Sequence, residues 1–165
     1  MTTADRRNDR NASSTAAPGD DKLRISARLG SEYLLRSVQL LVGFVEGDLV
    51  TALVFLAIIS ANVSHLNAEG PDGPLHADVD DVPPDEARKP VSVLALAGSL
   101  DLPYETTRRH VAKLLKSGQC ERVTGGLIVP ARVLLGERHT EVMRANLTNQ
   151  RRLFRALTRA GVDLS

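Results

Sequence analysis

The stretch "LPYETTRRHVAKLLKSG", residues 102–118, decides how this chain is read. Pro103 stands where a helix can begin, because a missing N–H costs nothing in the first turn. Gly118 stands where one can stop, since glycine accepts the left-handed conformation that closes a helix. On a wheel of 100° per residue, Thr107, Val111, Leu114 and Leu115 gather on one side, with Tyr104 near them. Arg109 and Lys116 fall almost opposite, flanked by Thr106, Lys113 and Glu105. Arg108 sits at the boundary, where its stem can lie on the core while the guanidinium reaches outward. Solubility is the plain explanation of such a face. The sharper one is a polyanion, because the first turns add a hydroxyl and free backbone N–H groups suited to phosphate.

The flanks extend the pattern. Upstream, Ser92 can cap a helix through "VLALAGSL" that ends near Asp101. Downstream, "CERVTGGLIVP" holds two short β-prone runs joined through Gly125-Gly126, a hairpin signal closed by Pro130. The order is helix, turn, helix, hairpin. With these residues in place, "VSVLALAGSLDLPYETTRRHVAKLLKSGQCERVTGGLIVP" resembles the DNA-binding domain of bacterial winged-helix regulators of the GntR and IclR types. In GntR-type domains the recognition helix opens with Ser-Arg-Glu-Thr-Val-Arg. Here Pro103, Tyr104, Glu105, Thr106, Thr107 and Arg108 stand in that place. The resemblance implies a winged helix-turn-helix in which Thr106 and Arg108 touch DNA and Thr107 takes the inward valine position. Tyr104 departs from the family's arginine. The likeness covers about residues 90–130, less than a third of the chain. Arg122 and Thr124, on the hairpin, are candidates for backbone or minor-groove contact.

The rest divides by composition. Residues 1–22 are polar, with four aspartates and no apolar run, which predicts a disordered tail and no secretory signal. Residues 23–66 read as two apolar helices, 23–46 and 49–66, serving dimerisation or an effector. The second contains 15 residues without a charge, 49–63, fewer than the roughly 20 a membrane span needs. It is apolar almost all round, and an all-round apolar helix is buried on every side. Burial of Leu53, Phe55, Ile58 and Ile59 against a second copy is the expectation. Residues 67–90 hold five prolines and seven acids, a linker. Residues 91–130 form the winged unit. A C-terminal helix, 139–160 within the segment 131–165, carries Met143, Leu147, Phe154 and Leu157 on one stripe and is expected to join the N-terminal helices in the dimerisation part.

Net charge is +1, yet residues 1–87 hold 7 Lys/Arg against 14 Asp/Glu and residues 88–165 hold 14 against 6. The basic half is where an anionic partner would land. A single cysteine, Cys120, excludes an internal disulfide framework and fits a reducing, cytoplasmic setting. His65, His76, His110 and His139 are isolated from one another, and no phosphate loop, nucleophile elbow or HExxH appears. Asp78, Asp80, Asp81 and Asp85 lack the glycine and glutamate spacing of a calcium loop. The expectation is a mainly α protein with a small two-stranded β-wing, not an enzyme and without cofactor or metal. It would bind double-stranded DNA as a cytoplasmic homodimer regulating transcription, through Glu105, Thr106, Arg108, Arg109, Lys113, Lys116, Arg122 and Thr124. The alternatives are a winged-helix protein-interaction module, or a ligand sensor whose pocket lies in the N-terminal helices.

Overall fold

A computed structural model describes residues 22–66 and 81–163, and the backbone of 69–70 and 73–74. The expected tail up to residue 21, and Asp78 and Asp80, lie outside the described residues. Helix α1, Leu23–Val45, stops where glycines dilute the sequence, and Glu46 closes it in the left-handed conformation at φ 50°. Asp48 then caps α2, Leu49–Val63, its carboxylate accepting from the Thr51 N–H at 2.9 Å. A 3₁₀ turn, Ser64–Leu66, prolongs it. A two-residue antiparallel pair follows, β1 Glu69–Gly70 with β2 Gly73–Pro74, which the reading of 67–90 as a linker did not foresee.

Helix α3, Val93–Leu100, begins at Ser92, whose hydroxyl accepts from the Ala95 N–H. Asp101 turns the chain at φ 51°, and α4, Tyr104–Lys116, starts behind Pro103. Gly118 closes it at φ 72°. Strands β3, Glu121–Val123, and β4, Gly126–Ile128, pair antiparallel, with Arg122 opposite Leu127. A short α5, Ala131–Leu134, leads into α6, Glu137–Arg159. The chain is thus mainly helical with a small antiparallel hairpin, as its sequence predicts.

One core joins α2, α3, α4 and the hairpin: Phe55, Ile58, Leu96, Val111, Leu114, Leu127 and Val129 are all essentially inaccessible to water. Val91 adds a single bridge to the hairpin, exchanging both backbone hydrogen bonds with Leu127 at 2.9 and 3.1 Å. That bridge explains Gly126. A β-carbon there would run into the Val91 carbonyl, so only glycine allows the approach.

Two expectations need correction. The side of α2 that bears Phe55 and Ile58 is covered by its own chain, at 1% and 0% exposure, and needs no second copy. Leu49, Leu53 and Leu56 form the side left exposed. Residues 49–66 are long and apolar enough to cross a membrane, but here one side is packed into the core. Nor is 67–90 a linker to its end. Val82 packs on the core, Arg88 is 4% exposed, and the Asp85 carboxylate accepts from the Ala131 N–H at 2.6 Å. The compact part therefore includes residues 82–91.

Helices α1 and α6 run antiparallel. Lys22 reaches the Gly161 carbonyl, the Ser37 hydroxyl donates to Asn146 Oδ1, and Arg138 pairs with Glu46 at the other end. At 23 residues each, they form an arm about 35 Å long. In α1 only Phe44 and Val45 are buried, and in α6 no residue is.

Candidate nucleic-acid interface

Helix α4 is fixed from its inner side. Thr107, Val111 and Leu114 are 0–1% exposed, and the Thr107 hydroxyl donates back to the Pro103 carbonyl. Thr107 thus fills a core position while satisfying its own polar group. With that side anchored, Glu105, Arg108, Arg109, Lys113 and Lys116 are exposed, whereas Thr106 is half-buried. Ala112 lies exposed among the cations and leaves their heads unobstructed.

The cations differ in their engagement. Arg108 Nε lies 2.9 Å from Glu105 Oε2 on the same exposed helix face. Such a pair is worth about 0–1 kcal/mol in water and yields readily to a better anion. Lys113 reaches across to Asp48 Oδ2 at 2.7 Å. Arg109 and Lys116, seven residues apart and so on one stripe, make no ion pair among the described residues. On the hairpin, Arg122 and Thr124 are exposed, and Arg122 likewise has no acidic partner among the described residues. Every residue expected at the interface except Thr106 therefore reaches open solvent.

A joint unseen in the sequence lies behind this face. Asp48 accepts from the Thr51 N–H and hydroxyl and from Lys113, while His110 Nδ1 lies 2.8 Å from Thr51 Oγ1. The directions agree when His110 Nδ1–H donates to Thr51 and the Thr51 hydroxyl donates to Asp48. Lys113 and these N–H groups hold the Asp48 carboxyl well below the usual carboxylate range. Burial, with Lys113 and Arg109 nearby, depresses His110 despite the opposing Asp48 charge. His110 therefore faces the core side as a packing residue.

Burial pushes the Cys120 thiol up to about 11, so it stays protonated and unreactive at neutral pH. Among the described residues, no three His, Cys, Asp or Glu side chains could hold a metal ion. Asn62, near the end of α2, is 0% exposed. Its amide donates to the Lys89 and Leu127 carbonyls at 2.8 and 3.1 Å and accepts from the Val129 N–H at 2.9 Å. Compared with protein-family models, curated proteins and solved structures, the chain has no match in any of the three.

Proposed function

We propose that this chain is a sequence-specific regulator of transcription that binds double-stranded DNA through a winged helix-turn-helix and acts as a homodimer in the cytoplasm. In this reading α3, the Asp101–Pro103 turn and α4 serve as the helix-turn-helix and β3–β4 as the wing; the order of helix, turn, helix and hairpin supports it. The observation that carries the reading is the outer face of α4. Arg109 and Lys116 are exposed without an acidic partner among the described residues, and the opposite face is locked in the core. Free cations on a rigid helix are what a phosphate backbone and a guanine edge both require.

In this reading Arg108 and Arg109 meet base edges, guanine being the partner a guanidinium fits best. Thr106, Lys113, Lys116 and Arg122 meet phosphates, with Glu105 orienting Arg108 and Thr124 at the wing tip. Lys113 contributes only by sharing its charge with Asp48. Arg109 and Lys116 are therefore the decisive substitutions. On an operator selected from random duplexes, Arg109→Ala should cost about 1–3 kcal/mol and relax the preference at one base pair. Lys116→Ala should lower the log–log salt slope by about 0.9 without changing the preferred sequence. Fluorescence anisotropy across a salt series reads both. Wild-type affinity, slope and preference in the double variant would rule the face out as a DNA surface.

A further inference from the structure

Where α1, α2 and α6 meet, the molecule encloses a cleft of about 310 Å³, open on one side. Its walls are aliphatic and aromatic, Leu41, Phe44, Phe55 and Met143 among them, and none of its lining residues is charged at neutral pH. Apart from Leu56, every lining side chain is buried or half-buried. The cleft is therefore a recess and not a face. A partner's helix, about 10–12 Å across with its side chains, is too wide for it.

Hydrogen-bonding groups stand at its two ends. At one, His139 Nδ1 lies 2.8 Å from the Leu134 carbonyl, so Nδ1 carries the hydrogen. That leaves Nε2 as an acceptor, with no partner among the described residues. The Phe44 ring meets the imidazole edge-on at 5.6 Å and holds its plane. At the other end Asn146 accepts the Ser37 hydroxyl on Oδ1 and turns its amide to the Tyr33 hydroxyl, which leaves the second of its two N–H hydrogens to donate elsewhere. His139 and Asn146 are seven residues apart on α6, about 10 Å along the helix.

We propose that this cleft binds a small, uncharged, flat aromatic molecule with a hydrogen-bond donor at one end and an acceptor at the other, a para-hydroxyaryl ketone being the simplest example. The ring lies among Leu41, Phe44, Phe55 and Met143. The phenol hydroxyl donates to His139 Nε2, and the ketone oxygen accepts from the Asn146 amide. A cleft of this volume, apolar with a few converging polar groups, has the proportions of small-ligand sites. The absence of any cation in its lining selects against carboxylates and phosphates, whose charge would go unpaired there.

Calorimetric titration of the full chain, without DNA, tests this with three probes: 4-hydroxyacetophenone, 4-methoxyacetophenone and 4-hydroxybenzoate. The first should bind one-to-one with a sub-millimolar Kd. The methoxy compound, which lacks the donor, should bind at least tenfold more weakly, and the benzoate should give no saturable heat. Met143→Trp, which fills the cleft, should abolish binding, and His139→Phe, which keeps the ring but removes the acceptor, should weaken it at least tenfold. Thermal melts of both variants separate loss of fold from loss of site. No heat from the ketone, equal binding of the methoxy compound, or unchanged binding by a folded Met143→Trp protein would each overturn the proposal. Because no DNA enters the cell, these outcomes leave the reading of α4 untouched.

Discussion

Asn62 ties three segments together with one side chain. Its amide meets two backbone carbonyls and its oxygen one backbone N–H, at the seam where α2, the residues before Val91 and the hairpin converge. Substitution by alanine leaves the Lys89 carbonyl and the Val129 N–H without this partner, each costing about 1–3 kcal/mol, while the Leu127 carbonyl keeps the Val91 N–H. Asn62→Ala should therefore destabilise the protein by about 2–4 kcal/mol, since some relaxation and water entry offset the rest. Urea denaturation measures it, and a loss under 0.5 kcal/mol would show the seam is held by packing alone. The histidines give a second expectation at this scale. Burial lowers both His110 and His139 from their ordinary value of 6.5. The unfolded chain then takes up protons that the folded one refuses, so acid favours unfolding. Stability should fall as pH drops below about 6.5, and fall again below about 4, where Asp48 takes up a proton in the unfolded chain that its depressed carboxyl refuses in the fold. Melting temperatures from pH 8 to 3 test this. His139→Phe should flatten the first decline, and a protein that gains stability between pH 6.5 and 5 contradicts it.

Between elements, the contact that matters most to the proposed interface is the one from the start of α2 to the middle of α4. Asp48 both caps α2 and holds Lys113. The two roles separate by magnitude. Removing an N-cap costs about 0.5–2 kcal/mol, whereas an exposed ion pair contributes about 0–1. Asp48→Ala should therefore lower stability by about 1–2 kcal/mol, and Lys113→Met by under 1. On DNA the order reverses, because Asp48→Ala frees Lys113 for phosphate and should tighten binding, while Lys113→Met should loosen it. Denaturation and anisotropy on the same pair of variants check both orders. Elements whose ends are set locally were legible from the chain: Ser92, Pro103 and Gly118 mark α3 and α4, and Gly125-Gly126 marks the hairpin. Those set by distant partners were not. Val91 is one residue bridged to another 36 positions away, and no short window carries that. Helix α2 is so uniformly apolar that no periodicity says which side faces inward, hence the misplacing of Phe55 and Ile58. The wheel put Lys113 outward correctly, but Asp48, 65 residues earlier, lay beyond its reach.

At the scale of the whole molecule the arm is the unresolved surface. Leu23, Leu34 and Leu35 of α1 are 60–63% exposed, and Leu147 and Phe154 of α6 are 45% and 55%. Leu147 and Phe154, seven apart, share one stripe of α6, and Leu23 and Leu34, eleven apart, share one of α1. The Tyr33–Gln150 and Ser37–Asn146 contacts set Leu34 and Leu35 at the height of Leu147. Beyond the end where α1 packs on α2, the two helices lean on each other, which buries little along the rest of their length, whereas two such arms make a four-helix bundle. A second copy is the economical cover, since an isologous pairing places each stripe against its own counterpart. Burying one large apolar side chain is worth about 1.5–3 kcal/mol, and the five half-exposed ones can claim about half of that each. Of the three helices the sequence reading assigned to the proposed dimer, α1 and α6 are the ones with apolar side chains left to pair, whereas the Phe55–Ile58 side of α2 is already covered. This changes the variant that tests it. A charge at Ile58 would simply unfold the core, but Leu35→Glu and Phe154→Glu alter side chains that are more than half exposed. Light scattering should give twice the chain mass for the wild type and a folded monomer for the double variant, with the thermal melt becoming concentration-independent. Two-fold pairing would also present two copies of α4, so the operator should be an inverted repeat with half-sites about 34 Å apart. The monomeric variant should then lose affinity for the full repeat and keep its weak hold on a half-site. A wild type that scatters as a monomer, or a double variant that stays dimeric, would remove the arm from this role.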